Sequence, residues 1–359
     1  MSLTVDISGV PPERMLFAVS PLAELAAMLH VLAVPGHHPS LQGWVARTRE
    51  ALPGELAARL AGSAFLWRSF RADFLLPGEP GETLAEELDE LDKLDDRTYL
   101  ASALVMTCGA DSGAAASDAG LARAIELARA RGPLQSGFAE RLADDPPGVR
   151  AEVRQLLEDC APAFFTETWR RVRPRLLADL RVKQDLLARH GLAETLAAVS
   201  RAIRLDTSAD GARSRLVIDK LQDNATTAVG TGLTFIPTVF GHPHLVAMHS
   251  RGRRPVLQYP AATPDLPEPV PLDQVTLRLQ ALAHPVRLRL ARTLARGPHT
   301  TGELATAWEL TAPEVSRHLT VLRKAELLTT RRRGRYVLHE LDPAATTALG
   351  TDLLEALLR

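Results

Sequence analysis

Thr300-Thr301-Gly302-Glu303 and, eleven residues on, Thr311-Ala312-Pro313-Glu314 each place a threonine three positions before a glutamate. In both, the threonine hydroxyl can accept from the glutamate amide while the carboxylate reaches back to the threonine amide, a capping box that opens a helix. Leu304, Ala305 and Trp308 supply the apolar run of the first helix. Leu310, just ahead of the second cap, can staple against Val315, and Pro313 sits in the first turn, where a missing N–H costs little. Val315, Leu319 and Leu322 fall at i, i+4 and i+7 and form one buried stripe, which turns Glu314, Arg317, His318 and Lys324 toward other faces. Two short helices starting this close together, the second with a polar N-terminal turn, suit the major groove of DNA.

The residues that follow read as a hairpin. Leu327-Leu328-Thr329-Thr330-Arg331-Arg332-Arg333 is strand-like, Gly334 can supply the positive φ of a turn, and Arg335-Tyr336-Val337-Leu338-His339-Glu340-Leu341 alternates with period two. Arg331, Arg332, Arg333 and Arg335 surround that turn, and planar guanidinium groups suit phosphate oxygens. A charge run is ordinarily a solvated face; directly behind a helix-turn-helix it reads as a wing.

Leu282-Ala283-His284-Pro285-Val286-Arg287-Leu288, Glu303-Leu304-Ala305, Val315-Ser316-Arg317-His318-Leu319-Thr320-Val321-Leu322-Arg323 and Gly334-Arg335-Tyr336 resemble the ArsR-type winged-helix repressors. The resemblance covers about the last 90 residues and implies a homodimer on a double-stranded operator, joined through the first and last helices. Here those are Leu272 to Leu282, with Val275, Leu277, Leu279 and Leu282 apolar, and Pro343 to Leu358, with Leu349, Leu353, Leu354 and Leu357.

The chain departs from that family in two places. Its metal sensors use paired cysteines on the first helix of the motif, or His and carboxylate ligands on the last helix. Thr300 to Leu310 holds no Cys and Pro343 to Arg359 no His, so neither ligand set carries over. Operator binding is therefore expected to be independent of cysteine and metal. Glu309 stands where the family's turn usually carries Gly; a positive φ there would cost about 1 kcal/mol, and a slightly different turn is expected.

The 359 residues, 46% hydrophobic, allow two to three domains with ample core. Met1 to Asp6 has neither the basic start nor the apolar run of a signal peptide, and Thr98 to Ala110 is too short to cross a bilayer, so a cytoplasmic protein without membrane contact is expected. Cys108 and Cys160 read as packed thiols of a reducing compartment. Leu272 to Arg359 carries 13 Lys and Arg against 9 Asp and Glu; the chain totals of 42 and 43 leave 29 against 34 for the rest. The basic end is the DNA end, and the acidic part should be held off phosphates.

The expected organisation is α+β: a regulatory, effector or dimerisation domain over 1–260, a Pro-rich linker over 261–271, and a winged helix over 272–359. Within 1–260, Leu and Ala at helical spacing run from Ser20-Pro21 to about 200, broken at Pro35-Gly36, Pro53-Gly54, Pro77 to Gly81, Gly109 to Gly113 and Asp144 to Gly148, giving seven or eight helices. Strand-like runs over 201–260, at Ile203 to Leu205, Leu216 to Ile218, Leu233 to Phe240, Leu245 to Met248 and Val256 to Tyr259, suggest one small antiparallel sheet. The order of helices, then Gly232 to Phe240, then Leu257-Gln258-Tyr259-Pro260, resembles the uncharacterised domain that precedes ArsR-type winged helices in some long bacterial regulators.

Enzyme signatures are missing: there is no G-x-S-x-G, Walker loop, H-E-x-x-H or C-x-x-C. Gly230-Thr231-Gly232 lacks the third Gly of a dinucleotide loop and reads as a strand-edge turn. His37-His38 and His242-Pro243-His244, with His249 nearby, read as surface loop histidines. The sequence thus points to a DNA-binding regulator with no catalytic residue, cofactor or metal ligand, answering to a small organic effector; the alternative is an enzyme or metal-binding domain fused to a DNA-binding module. Glu314, Arg317 and His318 are candidates for base edges, with Arg317 able to take a guanine bidentately. Ser316, Thr320, Arg323, Lys324, Arg331, Arg332, Arg333 and Arg335 are candidates for the DNA backbone, and Thr300, Thr301, Pro313 and Tyr336 complete the candidate surface.

Overall fold

Helix Pro21–Ala33 opens on the Ser20 cap, whose Oγ accepts from the Ala23 amide, with Pro21 in the first turn. It is apolar on every side, and every residue from Pro21 to Leu32 is buried, as a helix without a polar face must be. The computed structural model describes residues 2–68, 71–108, 117–208, 213–219, 224–250, 253–261, 270–333 and 336–358. The chain divides into two compact units, one over Met1–Leu266 and one over Pro267–Leu358. Most of the proline-rich segment, 262–269, and the Gly109 to Gly113 break lie outside the described residues.

In the first unit, ten α-helices between Pro21 and Val199 are seen among the described residues, more than the seven or eight expected. The extra boundaries fall at signals only one or two residues long. Gly132 (φ 133°) precedes Pro133, Gly191 (φ 80°) ends the helix Thr166–His190, and Asp95 caps a helix start with its carboxylate on the Thr98 amide. The helix Pro146–Cys160 passes through a π turn, Ala161–Phe165, into Thr166–His190. Pro162 stands in that turn, where its missing N–H breaks the regular ladder.

The expected single antiparallel sheet is corrected to two four-stranded sheets of mixed direction. The first has the order Ile203–Thr207, Ser214–Asp219, Ser2–Asp6, Asn224–Thr227, with Ser2–Asp6 antiparallel to Ser214–Asp219 and parallel to Asn224–Thr227. The second has the order Met15–Phe17, Leu233–Thr238, Val256–Pro260, Val246–Met248, and Leu233–Thr238 runs parallel to both neighbours. All six residues of Leu233–Thr238 are buried, which explains why it carries no charged residue. The segment 239–255 between it and Val256–Pro260 exceeds the dozen or so residues that a parallel crossover requires. Gly230-Thr231-Gly232 is the expected strand-edge turn. Gly232 has φ 84°, and a Cβ there would lie 2.5 Å from the Arg14 carbonyl oxygen.

Buried polar side chains fasten the central helix to its neighbours. Glu24 Oε1 accepts from the amides of Val239 and Phe240 at 3.0 and 3.2 Å, and Gln258 Nε2 donates to the Ala23 carbonyl. Glu87 accepts from the Ser20 hydroxyl and the Leu22 amide. Cys160 is a buried free thiol that burial pushes up to about 12, as expected of a packed thiol; the Cys108 side chain lies outside the described residues. No described helix is long and apolar enough to cross a membrane.

Candidate nucleic-acid interface

Both capping boxes form. Thr300 Oγ1 accepts from the Glu303 amide at 3.2 Å while Glu303 Oε2 accepts from the Thr300 amide at 2.7 Å, opening helix Thr301–Ala307. Thr311 and Glu314 repeat the arrangement at 3.4 and 2.9 Å and open helix Ala312–Lys324. Val315, Leu319 and Leu322 are buried together with Leu290, Leu294 and Leu304. Between the helices, Glu309 has φ 53°. The altered turn is therefore not found: the chain keeps the left-handed turn and places a glutamate in it, at a steric cost of about 1 to 2 kcal/mol.

The candidate contact residues differ in their environments. Ser316, Arg317, Arg323 and Lys324 are exposed along the helix, and Pro313 is exposed in its first turn. Glu314 has its carboxylate engaged by the Thr311 hydroxyl and amide, which hold it below the usual carboxylate range, so it serves the cap as well as facing solvent. His318 is half-buried with its ring 5.0 Å from that of His284; burial, then the His284 charge, lowers its affinity for a proton. Thr320 donates its hydroxyl to the Ser316 carbonyl. Thr301 lies 3.5 Å from His339 Nε2.

The wing is the hairpin Leu328–Arg333 and Tyr336–Leu341, in register from Leu328 opposite Leu341 to Arg333 opposite Tyr336. Gly334 and Arg335, between them, lie outside the described residues. A third strand, His299–Thr300, pairs with Leu338 and His339, so the cap of the first motif helix is tied into the wing sheet. Two residues are too short a strand to announce itself by periodicity. Arg331, Arg332, Arg333 and Tyr336 are exposed.

Sequence reading missed the residue that ties this unit together. Arg278, on the helix Leu272–Leu282, is 7% exposed. It meets Asp352 of the last helix at 2.6 Å and the Ala325 carbonyl, just past the recognition helix, at 3.4 Å. The helix Pro343–Leu358 packs against Leu272–Leu282, and Leu277, Leu279, Leu354 and Leu357 of this pair remain 38 to 57% exposed.

Residues 1–265 match the model of the Family of unknown function (DUF5937). The chain belongs to this family. In this DUF5937 protein, residues 282–331 also match a helix-turn-helix domain model. The biofilm growth-associated repressor of Agrobacterium fabrum is 42% identical over 74 residues, 20% of this chain and 63% of its own. The HTH-type transcriptional regulator Rv2034 of Mycobacterium tuberculosis is 43% identical over 74 residues, 21% of this chain and 69% of its own. The match thus spans under two thirds of the Agrobacterium protein. A solved structure, that of a possible transcriptional regulator for arsenical resistance, is 35% identical over 22% of this chain and 79% of its own, with a TM-score of 0.20. The C-terminal unit is a winged helix-turn-helix of the ArsR type.

The DUF5937 unit holds the one correction that bears on chemistry. Two of the five histidines read as surface groups are interior, while His37, His242 and His249 are half-buried: His38 is 1% and His244 9% exposed, and they meet His30, 6% exposed, from the central helix. Burial lowers His30 to about 3 and His38 to about 4. The signal for His30 was an imidazole in a helix whose other residues, Glu24 apart, are apolar.

Proposed function

We propose that this protein is a homodimeric transcriptional repressor that reads double-stranded DNA through its C-terminal unit and takes its signal through the DUF5937 unit. The observation that carries the reading is a capped helix followed by an exposed cationic hairpin. Arg317, Arg323, Lys324, Arg331, Arg332 and Arg333 form no salt bridge among the described residues, so their charge is left for phosphates and bases. Arg317 takes a base edge from the first half of the helix, and Arg331 to Arg333 hold the DNA backbone. Glu314, through its bond to Thr311, fixes the start of that helix. The exposed leucines of the first and last helices supply the homodimer face, since apolar side chains at this density favour a partner over water. The repressor names of the matched relatives favour repression over activation.

The test begins with selection of a binding sequence from random duplexes. The salt dependence of binding to it is then compared for the wild type and for the triple variant Arg331→Ala, Arg332→Ala, Arg333→Ala. The variant should bind every duplex more weakly, with a log–log slope flatter by roughly 0.9 for every phosphate that is no longer neutralised. An unchanged slope would mean that the wing points away from DNA.

A further inference from the structure

Three histidines far apart in sequence converge inside the DUF5937 unit. His30 lies on the central helix, His38 follows it in the next turn, and His244 follows the buried strand Leu233–Thr238. Each offers one ring nitrogen, and these nitrogens lie within 4.8 Å of one another.

The tautomers follow from the hydrogen bonds. His30 Nδ1 is 2.8 Å from the Trp67 carbonyl oxygen and His38 Nδ1 is 2.6 Å from the His242 carbonyl oxygen. A carbonyl oxygen only accepts, so both Nδ1 atoms carry the proton and donate. That leaves an Nε2 lone pair on each ring. His30 Nε2 lies 3.3 Å from His244 Nε2, and His38 Nε2 is buried with no hydrogen-bond partner. An Nε2–H on His244 could satisfy one of these lone pairs and would leave the other orphaned. A metal ion satisfies both and takes His244 as its third donor.

We propose that His30, His38 and His244 bind a divalent transition-metal ion of the zinc class through three imidazole nitrogens, leaving a fourth position open. Ligand nitrogens 2.0 to 2.1 Å from a tetrahedral zinc ion lie about 3.3 to 3.4 Å apart, the separation that His30 and His244 already have. A swing of the His38 ring in its loop closes the remaining distance. The Nδ1–H bonds to backbone carbonyls are the outer-shell contacts that orient imidazole ligands in metal sites. Three neutral nitrogen donors select zinc, cobalt, nickel or copper over magnesium or calcium, which take oxygen. His37, whose ring centroid lies 5.5 Å from that of His244, borders the site. Arg71 is buried nearby and its charge opposes a cation, and the buried Glu24 beside it offsets that charge.

The site belongs to the DUF5937 unit and does not depend on the DNA-binding reading. The test uses the full chain, stripped with a chelator, dialysed and titrated with Zn²⁺ and separately with Co²⁺. The wild type should bind a first equivalent tightly, and its Co²⁺ form should show the intense visible bands of a four-coordinate nitrogen site without a thiolate charge-transfer band. The triple variant His30→Gln, His38→Gln, His244→Gln should bind that equivalent more than about 100-fold more weakly, beyond the 10- to 100-fold effect of removing an outer-shell partner. Circular dichroism checks that it is folded, and the single variant His38→Gln, whose loop position puts the fold at least risk, should show the same direction. Wild-type protein that takes up no tight equivalent, or a folded His38→Gln variant that binds like wild type, overturns the proposal. An operator-binding assay on the same samples reports separately on the repressor reading.

Discussion

The helix Pro21–Ala33 and the helix Ala312–Lys324 are both thirteen residues long and start on side-chain caps, yet they treat their surfaces in opposite ways. The first buries every residue from Pro21 to Leu32, so its two polar side chains, Glu24 and His30, must find partners inside the protein. The second buries a single stripe, Val315, Leu319 and Leu322, and leaves its cations in water. A polar group in the first helix answers to what the interior encloses, whereas one in the second stays open to whatever approaches from solvent. Substitutions in the two settings should therefore separate: interior changes move stability, and exposed ones move binding.

The largest effect is expected at Arg278, an interior charge within the C-terminal unit. Arg278→Ala leaves Asp352, 13% exposed at its side chain, without its partner, and should cost about 3 to 5 kcal/mol of that unit's unfolding free energy. Denaturant titration measures it; a loss below about 1 kcal/mol would show that the pair behaves as a solvated surface bridge. Next comes Leu29→Ala in the central helix, where Leu29 is 1% exposed; the cavity left behind should cost about 2 to 5 kcal/mol in the N-terminal unit and leave DNA affinity alone. Arg317→Ala should do the reverse. Stability should hold within about 0.5 kcal/mol while affinity for the selected sequence falls by about 1 to 3 kcal/mol and affinity for random duplex changes little. Equal losses on both duplexes would make Arg317 a phosphate contact. The smallest effect is at Glu309: glycine relieves about 1 to 2 kcal/mol of left-handed strain but brings back chain entropy, so Glu309→Gly should stabilise by about 0.5 to 1 kcal/mol in thermal unfolding.

The same contrast explains what could be read from the sequence. The Thr300–Glu303 and Thr311–Glu314 caps, the 315/319/322 stripe and the 328–341 hairpin are set by residues a few positions apart, and spacing reveals them. The strand runs near 203, 216, 233, 246 and 256 were legible for the same reason. Which strand lies beside which was not: the pairing of Leu3 with Ile218 and of Phe17 with Phe235 leaves no local period, and the short N-terminal strands went unread. The histidine cluster is the extreme case, since His30 and His244 are 214 positions apart, the one inside a largely apolar helix and the other in what reads as an ordinary loop. Arg278 escaped notice because a helix with Leu277 and Leu279 beside it gives no hint that the arginine, rather than its apolar neighbours, is the residue turned inward.

The position of Ser2–Asp6 in the first sheet has a consequence for synthesis. That strand lies between Ser214–Asp219 and Asn224–Thr227, so both of its neighbours are made more than 200 residues later. At ribosomal speeds of about 5 to 20 residues per second, its two open edges wait roughly 10 to 40 s for partners. During that interval Leu3 and Val5, each at most 2% exposed in the finished protein, are available to any other extended chain. The strand therefore depends on partners made late, and slowing translation between residues 6 and 214 should lower the soluble yield.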